Sequence, residues 1–72
     1  MSAHARSRAR EMGVSVGEIE AAYLRPAREY RMRKYPGQVM RTCGRVAVPV
    51  DCVNGMVITV LWNVPLGERF VR

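Results

Sequence analysis

The sequence predicts an α+β domain: two N-terminal helices packed on a small twisted antiparallel sheet of three to four strands. Three observations carry this. The first third of the chain holds two stretches with helical spacing and capping residues. From Arg28 onward polar and apolar residues alternate instead, the period of a half-buried strand. Pro36-Gly37 and Asn54-Gly55 then divide that second part into hairpins. With 72 residues there is room for one domain, and residues 1–72 are read as one. A chain this short buries only about 60% of the surface it exposes when unfolded, so its margin of stability is thin.

The first helix is expected from an N-cap at Ser2 to about Met12, where Gly13 ends it. Ala5, Ala9 and Met12 form a narrow apolar stripe. His4 and Arg8 lie one turn apart beside it, with Glu11 further along. Arg6 and Arg10 point elsewhere, to solvent. The second helix starts at a capping box, Ser15-Val16-Gly17-Glu18. Val16, Ile19, Tyr23 and Leu24 are assigned to its buried face. Pro26 stops it near Leu24 or Arg25, because a residue before proline is pushed out of helical geometry.

Glu29 to Tyr35 alternates Tyr30 and Met32 against Arg31 and Arg33, as a half-exposed strand does. Gln38 to Cys43 continues past the Pro-Gly turn until Gly44 breaks it. Arg45 to Cys52 sets Val46, Val48 and Val50 on one face and Ala47, Pro49 and Asp51 on the other. Met56 to Asn63, apolar on both faces, reads as a central strand. Two registers compete across Asn54-Gly55. A two-residue loop sets the three valines with Thr59, Leu61 and Asn63, whereas a three-residue loop with a bulge sets them beside Ile58, Val60 and Trp62. The bulged hairpin gathers one apolar face and is preferred. Pro49 has no amide to donate, which marks an edge segment or another irregularity. The tail at 64–72 has no period and is expected to wrap the sheet or fray.

Eleven arginines and one lysine face six acids, for a net charge of +6 and a pI near 10.4. That balance favours polyanionic partners. Arginine over lysine suits bidentate contact with phosphate or carboxylate, although GC-rich coding produces the same bias. No apolar run reaches the ~20 residues a membrane helix needs, and the N-terminus lacks a signal peptide's apolar stretch; both point to the cytoplasm. Cys43 and Cys52 fall near opposite ends of neighbouring segments, beyond the ~7 Å Cα limit for a disulfide, and are expected as buried, reduced thiols. No metal-ligand spacing and no cofactor motif is present.

His4-Ala5-Arg6-Ser7-Arg8 followed by Glu11-Met12-Gly13-Val14-Ser15 resembles the motif HAxxRMxERGIS, which opens the small proteins of the domain-of-unknown-function 4258 family. The resemblance continues through Glu18-Ile19-Glu20 and Pro26 to the Val57–Trp62 segment, covering most of residues 2–63. Ala9 replaces the motif's Met and Met12 its second Arg. That family looks related to RelE and BrnT toxins, which implies helices on one side of a twisted sheet in ααββββ order. It also implies a protein that engages RNA or the ribosome, as a metal-independent endoribonuclease of a bacterial toxin–antitoxin or phage system.

His4 is the one side chain whose ordinary pKa lies near neutrality, so it is the candidate general acid or base. Arg8 would clamp the phosphate and Glu11 would hold Arg8; the plain alternative is a helix start beside an ordinary surface pair. Arg25, Arg28, Arg31, Arg33, Lys34, Arg41 and Arg45 form a second group, offset only by Glu29. Tyr30 and Tyr35 lie among them, and aromatic rings between cations suit stacking on unpaired bases. Here the alternative is a solvated edge protected from aggregation by its charge. Trp62 and Tyr23 are read as core, the tyrosine hydroxyl at the rim, and the methionines as gap-fillers. Two functions follow: RNA engagement with possible cleavage at His4, or a non-catalytic module whose basic face binds nucleic acid or an acidic antitoxin or host protein. Monomer and homodimer stay open.

Overall fold

Residues 1–63 are described by a computed structural model of the chain; the expectation for the tail at 64–72 lies outside them. Two helices precede a four-stranded antiparallel sheet of order β1-β2-β3-β4. This is the α+β arrangement the caps and alternation predict.

Helix α1 runs Ala3–Met12. The Ser2 hydroxyl accepts from the Ala5 amide at 3.1 Å, which satisfies one of the free donors of the first turn. At the other end Gly13 has φ +70°, and the Gly13 and Val14 amides bond the Arg10 and Ala9 carbonyls. That pair of bonds is a Schellman cap, and it turns the chain so that Val14 is buried in the same cluster as Ala9. Helix α2 runs Val16–Leu24 with both halves of the capping box made: Glu18 N to Ser15 Oγ and Ser15 N to Glu18 Oε2, each 3.2 Å. Its buried face is turned from expectation. Ile19 and Ala22 are buried, whereas Val16 and Leu24 are 64% and 66% exposed. The small Ala22 side chain lets this face lie close on the sheet, and a helix cannot bury residues on both sides of that line.

Strands β1 (Arg28–Arg31), β2 (Gln38–Cys43), β3 (Val46–Asp51) and β4 (Leu61–Trp62) follow. β1 is shorter than the alternation suggests. Gln38 N bonds Tyr35 O at 3.1 Å around Pro36-Gly37, and Gly37 has φ +90°, as the third position of a type II turn requires. The turn and its approach take residues 32–37 off the ladder. β3 lies between β2 and β4 and is buried on both faces, so it is an inner strand, and the Met56–Asn63 segment is an edge.

That edge segment is also broken. Val57 makes a single bridge to Val50, and regular pairing resumes only at Leu61 with Ala47 and Trp62 with Val46. Four steps from Val57 to Leu61 face three from Val50 to Ala47, so one extra residue bulges out. The preferred pairing of Val46 with Trp62 holds, but the bulge sits inside the strand and not at the turn. The loop itself spans residues 52–55, closed by Asp51 N to Met56 O at 2.9 Å. Pro49 supplies the reason. Ile58 N bonds Pro49 O at 3.0 Å, and in such a pair the reciprocal bond would run from residue 49 to Ile58 O. Proline has no proton to give. The orphaned Ile58 carbonyl is served by the Ser2 hydroxyl at 2.9 Å, and Ser2 N bonds Val57 O at 3.2 Å. Ser2 therefore caps α1 and repairs the sheet at once. Beneath the helices Val46, Val48 and Val60 are completely buried, with Ala5, Ala9, Val14, Ile19, Ala22, Val50 and Val57 around them.

Candidate nucleic-acid interface

The seven cations of the second group divide into two sets. Arg41 is register partner to Glu29 on the helix-covered face, and its Nε lies 2.6 Å from Glu29 Oε2. Its other arm donates to the Tyr23 carbonyl at 2.8 Å, with the guanidinium 5.2 Å from the Tyr23 ring centre. Arg41 thus closes the end of α2 onto the sheet. Arg45, just past the Gly44 turn, reaches Glu18 at 3.0 Å and the Gly13 carbonyl at 3.4 Å. It also stacks 5.4 Å from the centre of Trp62. Trp62 is 44% exposed beneath that arginine, not in the core as its neighbours suggest, because it lies on the edge strand. Tyr23, expected in the core, is half-buried against it, its hydroxyl donating to Gly55 O at 2.8 Å.

Arg25, Arg28, Arg31, Arg33 and Lys34 are all exposed, and none has an acidic partner among the described residues. Arg25 caps α2; Arg28 and Arg31 stand on β1, at the sheet's free edge, and Arg33, Lys34 and Tyr35 on the loop that follows. The nearby acids are committed elsewhere: Glu29 to Arg41, Glu18 to Arg45, and Asp51 to the Val53 amide. The free charge therefore gathers on the first hairpin. Alternation along β1 places Arg31 with Val39 on the helix-covered face and Arg28 and Tyr30 on the opposite one.

A cleft of about 510 Å³ opens at the loop end of this hairpin, between Arg31 and Arg33 and the apolar side chains of Met32, Pro36 and Val39. Cys52 forms part of its wall, brought there by its amide bonding Gly37 O at 2.9 Å. Both cysteines are free, Cys43 half-buried and Cys52 exposed; the expectation of two buried thiols fails for Cys52, which follows β3 in the loop. Only tertiary pairing brings Cys52 to the cleft, and no local pattern in the sequence signals it.

His4, Arg8 and Glu11 share one side of α1, and Arg8 Nη1 lies 3.4 Å from Glu11 Oε2. His4 is exposed, with no hydrogen bond from its ring among the described residues. Ser2 anchors α1 on the β4 segment, at the edge opposite β1. Strands ~4.8 Å apart put the two edges about 14 Å from one another, and among the described residues no hydrogen bond or ion pair joins the His4 group to the basic hairpin. Arg6 and Arg10 are exposed on another side of α1, along a groove shared with Val16 and Ile19 of α2.

Among the described residues no three His, Cys, Asp or Glu side chains cluster as a metal site, and no helix is long and apolar enough to cross a membrane. Comparison with known family models, curated proteins and solved structures finds no match.

Proposed function

We propose that this protein binds RNA through its first hairpin, as a small toxin-like domain of the kind its N-terminal motif resembles. One observation carries the reading: Arg25 at the end of α2, Arg28 and Arg31 on β1, and Arg33 and Lys34 on the loop after it are all exposed, with no carboxylate among the described residues in ion-pair contact with them. Arginines without an acidic partner among the described residues attract phosphate over the range of the Debye length, and each contact releases counterions. The net charge of +6 steers a polyanion to the same surface. Tyr35, 47% exposed on the loop, adds a ring on which a base can stack.

Chemistry in this reading belongs to α1. His4 would either take the proton of the 2′-hydroxyl as its oxygen bonds to phosphorus, or give a proton to the 5′-oxygen as its bond to phosphorus breaks, and Arg8, held by Glu11, would offset the charge growing on phosphate. A strand bound on the hairpin must cross the sheet to reach His4, which ranks binding ahead of cutting.

Titration of a labelled RNA, followed by fluorescence anisotropy, tests the binding. Replacing Arg31 and Arg33 by Glu is expected to weaken it at least about tenfold, and the Ala pair to flatten the log-affinity against log-salt slope by about 1.4, at ~0.7 per lost phosphate contact. Unchanged affinity and slope would reject the surface. Cleavage is read separately: wild type, with and without ribosomes, against His4→Ala, which is expected to be inactive and folded. Equal cutting by the variant removes His4 from the mechanism. Capture of an acidic protein instead of RNA, lost on the same charge reversal, would point to the antitoxin or host-factor alternative.

A further inference from the structure

We propose that the cleft at the end of the first hairpin receives one unstacked nucleobase, with Arg31 and Arg33 on the flanking phosphates, so that the protein selects single-stranded over duplex RNA. The inference rests on the RNA-binding reading above and names its substrate class.

A surface that only collected phosphates would need cations and nothing more. Here the two arginines stand at the rim of a recess whose walls include Met32, Pro36 and Val39. Its volume, about 510 Å³, lies within the range of small-ligand clefts. An unpaired base presents a flat apolar face and polar edges, which match apolar walls and the polar residue Gln38 at the same site. In a duplex that face is covered by its neighbours and cannot enter. Arg31 and Arg33 both line the cleft, so each can meet one of the two backbone charges that flank an inserted base.

The recess is also held in shape before any ligand arrives. Met32 N bonds Gln38 O at 3.3 Å, Gln38 N bonds Tyr35 O at 3.1 Å, and Cys52 N bonds Gly37 O at 2.9 Å. These bonds pin the hairpin loop to itself and to the β3–β4 loop. Little backbone ordering is left to oppose binding. Purely electrostatic capture, by contrast, would favour the duplex, whose charge density is higher.

The test uses the full chain, a fluorescent uridine 10-mer, and the same strand annealed to its complement. The single strand is expected to bind at least about tenfold tighter than the duplex. Cys52→Trp fills the recess from its exposed rim and is expected to bring single-strand affinity down to the duplex level, leaving duplex binding unchanged. As a second measurement that needs no bulky substitution, Cys52 alkylation in a Cys43→Ser background is expected to slow with bound single strand and not with duplex. RNA binding without strand preference, or Cys52 alkylation unaffected by saturating single strand, overturns the base-recess proposal while leaving RNA binding intact. Failure of either RNA to bind overturns both.

Discussion

Replacing Ser2 by alanine should cost far more than a surface serine usually does. Its hydroxyl accepts from Ala5 N at 3.1 Å and donates to Ile58 O at 2.9 Å. Loss of a serine N-cap costs about 1 kcal/mol. The Ile58 carbonyl, left without its partner at a half-buried position, adds about 1 kcal/mol, the low end for an unsatisfied group because water has partial access. The sum, about 2 kcal/mol, lowers Tm by roughly 8–16 °C in a domain of this size. The two parts can be separated. Pro49→Ala restores an amide at the position that faces Ile58 O, so in that background the carbonyl has a new donor. Ser2→Ala should then cost only the cap, about 1 kcal/mol, and the double-mutant cycle should show a coupling near 1 kcal/mol. Urea denaturation of the four proteins, followed by circular dichroism, measures every corner. If Ser2→Ala costs the same with and without Pro49, the link between the missing proline amide and the serine hydroxyl is wrong.

Three further outcomes follow from the same contacts. Glu18→Ala removes one half of the capping box and the partner of Arg45, and should destabilise by about 1–2 kcal/mol; Arg45→Ala, removing an exposed pair, should cost less than about 1 kcal/mol and lose its effect in high salt. An inverted order in urea melts would show that the cap is not the stronger part. Gly55→Ala and Gly13→Ala both ask alanine to adopt a positive φ, +68° and +70°, but only at Gly55 would the new Cβ meet a neighbour, Tyr23 Oη at 3.1 Å. Gly55→Ala should therefore be the more damaging, by about 1 kcal/mol, and its extra cost should shrink in a Tyr23→Phe background. Among the exposed cations, Arg31→Ala should flatten the salt dependence of RNA affinity by about 0.7, whereas Arg41→Ala should act mainly on stability, since its guanidinium is engaged with Glu29 and Tyr23. Equal effects of both on the salt slope would show that Arg41 also reaches phosphate.

What the sequence makes legible here is local. Ser2, Gly13 and the Ser15–Glu18 box set both helices through bonds within four residues, and those limits hold. Gln38–Cys43 and the third strand fall where the alternation puts them, within a residue. The misreadings are tertiary. Val16 and Leu24 look like core in a helical pattern, but the small Ala22 decides which face meets the sheet. The Met56–Asn63 run looks central because it is apolar on both sides, yet pairing order puts it at the edge, where Trp62 lies under Arg45. Pro49 does signal an irregularity, though only the paired strand shows that the disruption falls on Ile58. For the candidate site, the concentration of cations between Arg25 and Arg45 is plain in the sequence. Which of them are free is not, because Arg41 and Arg45 are claimed by acids 12 and 27 positions away.

The unequal fastening of the two helices sets how the molecule breathes. α2 is gripped at both ends by side chains of the sheet, Arg45 on Glu18 and Arg41 on the Tyr23 carbonyl. α1 has the lighter hold: Ser2 at its start, Arg45 on the Gly13 carbonyl at its end, and between them Met12 and two alanines, Ala5 and Ala9, which bury little area each. Its amide protons should consequently exchange with solvent through a partial opening, α1 lifting on the Gly13 hinge while α2 and β1–β3 stay closed. The basic hairpin belongs to the part that stays closed, and His4 to the part that lifts. A ligand held on the hairpin would thus stay in place through openings that carry α1 and His4 away from the sheet and back.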